Sequence, residues 1–115
     1  MGDLYRVQGR YVEAEALLKR ALTIREKAFG NNHPSIGVTL NSLAELYRAE
    51  GLYTKGEPLY RRALDVTEKG LGDEHPDVAV VLEGYVALLR ETNRKEQAQG
   101  LEDRAKEIRK KAKLR

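Results

Sequence analysis

The chain has no cysteine and no tryptophan, one phenylalanine and three prolines in 115 residues. Without cysteine there is no disulfide framework and no thiolate metal site, which excludes the small stapled folds of secreted proteins. Apolar runs are only a few residues long, far short of the about 20 that a membrane-spanning helix requires. The N-terminus has no basic-then-apolar signal pattern. A cytoplasmic protein with no membrane association is the expectation. What the chain has in quantity is charge, and its net +3 is unevenly spread. Lys106, Arg109, Lys110, Lys111, Lys113 and Arg115 face only Glu107, so residues 106–115 carry +5 and the remainder −2.

The chain also repeats itself. "GNNHPSI" at 30–36 returns as "GDEHPDV" at 72–78, and residues 3–50 laid on 45–92 share 19 identities in 48 positions. Substitutions between the copies are mild: Lys19 for Arg61, Ile24 for Val66, Phe29 for Leu71, Ile36 for Val78. An internal period of 42 residues signals stacked units, each too small to bury its apolar face without a neighbour.

Within a period the apolar spacing is helical. Tyr11, Ala14, Leu18, Ala21, Leu22 and the stretch from Ile24 to Ala28 follow steps of three and four, as a helix with one buried stripe requires. Gly30 ends that helix and Pro34 opens the next, where a first turn has no intrahelical donor to lose. Ile36, Leu40, Leu43, Ala44 and Tyr47 share a face of the second helix, and Gly51 closes it. Short links between successive helices imply antiparallel neighbours. Thr54 and Glu57 have capping-box spacing, which puts Pro58 near the start of its helix.

These residues resemble the tetratricopeptide repeat. Its pattern reads here as Leu40-x2-Leu43-Ala44-x2-Tyr47, then Gly51, Tyr53 and Gly56-x3-Tyr60-x2-Ala63. The preceding copy supplies Leu4, Tyr5, Gly9, Tyr11 and Ala14-x3-Leu18-x2-Ala21. The 42-residue period and the phrase "GEPLYRRAL" look like the long repeats of kinesin light chains. The resemblance implies an all-α, right-handed solenoid of about two and a half repeats. Its expected parts are a partial first repeat at 1–29, a helix pair at 34–71, and a helix pair at 76–113 with a polar, basic cap.

The two ends differ. Glu102 stands where Leu18 and Tyr60 stood, and Lys106 where Leu22 and Leu64 stood, so the last stripe reads as a cap with no neighbour to cover. Residues 1–8 match only the closing half of the helix that ends near Glu50. The apolar face of 11–29 is therefore expected to be partly uncovered, either as a fragment of a longer array or as a self-association face.

No catalytic constellation emerges. His33 and His75 hold equivalent repeat positions, too far apart to converge on one metal, and read as structural turn residues. The serines and threonines have no His-and-acid partner, and "GLGDEHPD" lacks the lysine of a phosphate loop. The expectation is a non-enzyme without cofactors. The aromatics occupy repeat positions, which leaves no stacking platform for nucleic acid, and the basic tail reads as a solvated helix end. A weak polyanion interaction through 106–115 is the remaining alternative.

What is left is the concave surface of a stacked-helix array, which in the resembled family binds an extended or helical peptide. The positions resembling groove-facing ones are Arg6 in the first half-helix, then Val38, Asn41, Glu45 and Arg48, then Val80, Glu83, Ala87 and Arg90. Arg6, Arg48 and Arg90 share one position in all three copies, and guanidinium groups in a row suit acidic side chains. The alternative is that they pair with nearby acids such as Glu45, Glu83 or Glu91. In the resembled family an Asn near position 41 contacts the peptide backbone; Glu83 departs from it in the next copy. The expected function is a protein-interaction scaffold for an acidic or mixed peptide, with self-assembly through the N-terminal face as the alternative.

Overall fold

The computed structural model describes the backbone of residues 2–114 and the side chains of residues 9–114. Five helices follow in order: α1 (Gly2–Phe29), α2 (Pro34–Ala49), α3 (Tyr53–Leu71), α4 (Pro76–Glu91) and α5 (Lys95–Lys113). No strand occurs among the described residues.

The boundaries follow the chain's punctuation. Gly51 and Gly72 end α2 and α3 with φ of 79° and 94°, a region that strains any residue with a Cβ. Asn93 makes the corresponding turn after α4 at φ 60°, as the side chain best suited to replace glycine there. Pro34 and Pro76 lie in the first turns of α2 and α4. The histidine before each is an N-cap: Nδ1 of His33 accepts the Ser35 N–H at 3.1 Å, and Nδ1 of His75 accepts the Asp77 N–H at 3.1 Å. Each imidazole thus satisfies a backbone donor that its helix cannot.

Two local expectations are corrected. The capping box does not form: α3 begins at Tyr53 without a side-chain cap. Glu57 instead receives Arg61, Tyr85 and Arg94. Pro58 lies in the second turn, and the helix continues because the proline removes a single backbone bond. Nor does the chain turn at Gly9, which is equivalent to Gly51 and Asn93 but lacks their positive φ. The turn at Gly51 is held by α2 packing on α3. Residues 2–8 form under two turns, too short to bury a comparable face, so the intrahelical bonds run on through Gly9.

The helices form two rows. α2 packs on α3 and α4 on α5; α2 also meets α4, whereas the backbones of α1, α3 and α5 stay apart. The row that touches is the inner, concave one. The molecule measures 48 × 37 × 23 Å, and its smallest dimension matches two helix layers of about 10–12 Å each.

Between the rows Ile36, Leu40, Tyr60, Ala63, Leu88 and Leu89 form the main core, and Val78, Leu82, Ala105 and Ile108 a second. Leu64 and Leu101 pack against both, joining them. The Tyr60 and Tyr85 rings stack with centroids 6.0 Å apart. Helix α4 comes so close to Tyr60 that a Cβ on Gly84 would lie 2.7 Å from the ring. The apolar face of α1 is partly uncovered, as expected: Ile24 is 58% exposed, because no described helix packs on it as α2 does on Val66 of α3.

Candidate functional site

Helices α2 and α4 bury Ile36, Leu40, Leu43, Val78, Leu82 and Tyr85 against the row behind them. That register turns positions 38, 41 and 45, and 80 and 83, to the other side. Val38 is 58% exposed and Val80 43%, so two apolar side chains stand open on facing helices.

Val38, Asn41 and Val80 come together. With Pro34, Gly37, Ser42, Thr67, Asp77 and Val81 they line a cleft of about 140 Å³ between α2 and α4. The Asn41 side-chain oxygen is buried and has no hydrogen-bond partner, the one side-chain atom in that state among the described residues. Leaving such an acceptor unpaired costs about 1–3 kcal/mol.

Glu83, Ala87 and Arg90 line a second, more open recess of about 380 Å³, walled by Glu102 and Lys106 of α5. Glu45 and Arg48 line neither recess. The Arg6 side chain lies outside the described residues.

Arg48 and Arg90 are held by the protein's own acids. Arg48 donates to Glu91 at 3.0 Å and to the Tyr60 hydroxyl at 3.2 Å. The Tyr60 bond is the leading reason its pKa is raised, ahead of burial, which opposes the rise, and Glu91. Arg90 pairs with Glu102. Glu83 takes both arms of Arg109, at 2.6 and 2.7 Å, and that bond holds its carboxyl below the ordinary range. The pairing of Arg48 with Glu91 is the alternative weighed from sequence. Glu102 and Arg109 escaped that reading because both lie on α5, and the only trace was the polar replacement of a core residue at 102.

The same contacts occupy part of the basic tail. Lys106 pairs with Glu102 at 3.2 Å and Lys111 with Glu74 at 2.6 Å. Among the described residues no three His, Cys, Asp or Glu side chains are grouped to hold a metal ion. No described helix is long and apolar enough to cross a membrane. The site thus combines an apolar cleft, a residue with an unpaired acceptor on its wall, and Arg48, Glu83 and Arg90 nearby, each paired with an opposite charge of the fold.

The profile of the tetratricopeptide repeat family matches residues 1–51 and again 35–111. Comparison with curated proteins gives no match. Among solved structures, the chain is similar to one of Podosopora anserina titled for kinesin light chain-type, nearly identical TPR-like repeats. The TM-score is 0.76 at 24% identity, over 96% of this chain and 52% of that one. That likeness speaks to the fold, and the chain spans about half the length of the protein it matches.

Proposed function

Because this chain belongs to the tetratricopeptide repeat family, whose repeats generally mediate protein–protein interaction without catalysis, we propose that it is a scaffold binding a peptide segment of a partner protein in the groove between α2 and α4. The observation that carries this reading is the Asn41 side-chain oxygen, buried and unpaired beside the exposed Val38 and Val80. A peptide laid across the cleft supplies apolar side chains to the valines and, as the Asn41 amide turns toward it, a backbone N–H to that oxygen, the combination that gives peptide grooves both affinity and register. Glu45, Arg48, Glu83, Ala87 and Arg90 flank the cleft and select among sequences. An acidic residue of the partner is accommodated where it displaces Glu91 from Arg48 or Glu102 from Arg90, so apolar contact supplies the affinity and acidity modulates it. The cytoplasm is the compartment we adopt, on the cysteine-free composition.

A random-peptide display selection against the chain tests this, followed by titration of the selected peptides against Asn41→Ala and Val38→Asp. The expected result is a loss of roughly tenfold or more for each variant, the scale of one lost buried hydrogen bond or anchor. Val12→Asp, on α1 and 65% exposed, should bind as the native chain does. Selected peptides indifferent to both groove variants would sink the reading.

A further inference from the structure

Once the fold has made its own ion pairs, the charge left beside the cleft is negative. Arg48 is held by Glu91, and Arg90 shares Glu102 with Lys106 in the more open recess. Asp77 and Glu45 are exposed, and neither pairs with a Lys or Arg among the described residues. Asp77 is the one ionisable side chain among the described residues that line the cleft, where Val38 and Val80 stand open. Glu45 follows one helical turn after Asn41 on the same face of α2.

The His75 ring comes within 3.8 Å of the Asp77 carboxylate but does not neutralise it. The nitrogen that faces Asp77 is Nδ1, which accepts the Asp77 N–H and so carries no proton of its own. An acid in the first turn of α4 is favoured by the helix dipole. Glu45, toward the C-terminal end of α2, has no such support. Nor does the repeat dictate these two carboxylates: Asp77 replaces Ser35 of the preceding copy, and Glu45 gives way to Ala87 in the following one.

By the 42-residue offset Asp77 stands level with Ser35, ten residues before Glu45. At about 1.5 Å per helical residue the two lie roughly 15 Å apart along the groove, the span of about five residues of extended peptide. Val38 and Val80 lie between them.

Resting on the reading of this cleft as a peptide site, we propose that its partner segment is basic, with a Lys or Arg at Asp77 and another at Glu45 on either side of apolar residues seated on Val38 and Val80. An acid on the partner reaches Arg48 or Arg90 only by displacing Glu91 or Glu102. A cation displaces nothing. Exposed ion pairs are individually weak, so the valines hold the peptide and the carboxylates choose it.

Peptides selected by random-peptide display against the 115-residue chain are the probes, and isothermal titration measures them. Those that lose affinity on Asn41→Ala and on Val38→Ser, which removes the anchor without adding charge, should carry Lys or Arg on both sides of their apolar residues. Asp77→Asn and Glu45→Gln should each weaken them roughly twofold to fivefold at low salt, and the loss should shrink as salt is added. Glu96→Gln removes an exposed first-turn acid of α5 away from the groove and should leave affinity unchanged. Asp77→Lys should reverse the preference, favouring a peptide whose facing base is replaced by Glu. All four positions are exposed, so helical circular dichroism should stay intact throughout. Peptides that depend on Asn41 and Val38 yet carry acids where bases are expected, or are indifferent to both Asp77→Asn and Glu45→Gln, overturn the basic partner and leave the groove standing. Peptides indifferent to Asn41→Ala and Val38→Ser bring down the groove reading, and this one with it.

Discussion

The hydroxyl of Tyr85 on α4 donates to the carboxylate of Glu57 on α3 at 2.8 Å. Forty-two residues earlier Glu15 on α1 accepts from Tyr47 on α2 at 2.5 Å, so the acceptor repeats in register. The donor does not: Tyr47 sits one helical turn beyond the position equivalent to Tyr85. Each tyrosine pins an inner helix to the outer helix before it, and Glu57 also receives Arg94 at 2.6 Å and Arg61 at 2.9 Å.

Glu57→Ala removes the acceptor of all three donors and leaves the buried Tyr85 hydroxyl proton without one. A destabilisation of about 2 kcal/mol is expected, the scale for an unsatisfied buried group. Urea denaturation should show it as a lower midpoint at unchanged slope. A loss under about 0.5 kcal/mol, typical of ordinary surface substitutions, would contradict the assigned network.

The same carboxylate makes stability depend on acidity. The Arg94 bond is the leading cause that holds Glu57 below its ordinary value of 4.5, with burial opposing it and Tyr85 adding to it. Glu83 is lowered chiefly by Arg109. A pKa lower folded than unfolded contributes stability that is present above the unfolded value and lost as pH falls through the folded one. The urea midpoint should therefore decline as pH drops below about 4.5, the unfolded carboxylate range. The decline should be shallower in Glu57→Gln, which has no proton to take up.

Two glycines within helices should respond oppositely to alanine. At Gly84 a Cβ would meet the Tyr60 ring at 2.7 Å, so Gly84→Ala is expected to destabilise by about 1–3 kcal/mol through overpacking. At Gly100 nothing lies within 4 Å, so Gly100→Ala should stabilise by about 0.5–1 kcal/mol from helix propensity alone. Thermal melts of both variants measure the contrast. Equal signs would mean that α4 does not approach Tyr60 as closely as described.

Freeing Arg48 and Arg90 from their carboxylates should alter peptide preference. Glu91→Gln leaves Arg48 with Tyr60, and Glu102→Gln leaves Arg90 without its carboxylate. Both changes should raise affinity for acid-containing peptides, by roughly threefold to tenfold at low salt, and the gain should shrink as salt is added. Isothermal titration at two ionic strengths decides this. No gain in either variant would remove the arginines from partner selection.

Much of the fold was legible because it rests on short-range rules. The 42-residue offset, the steps of three and four, and the glycines after α2 and α3 are local features, and the helical repeat follows from them. Even the exposed stripe on α1 could be anticipated from the half-length first helix. The site was legible only as a set of positions. Val38, Asn41 and Val80 do meet in one cleft, whereas Glu45 and Arg48 stand outside it. The arginines, read as a row from their common position, have their partners 43 and 12 residues away.

The sequence by itself determined the helices, their turns and their stacking order, because each depends on which residues lie within a turn or one period of one another. The tertiary structure alone decided that α1 runs through Gly9, that Glu91 and Glu102 hold Arg48 and Arg90, and that the Asn41 oxygen is left without a donor. These outcomes depend on where separate helices come to rest. A long side chain pairs with whatever charge lies within its reach across the gap, and no local spacing encodes that distance.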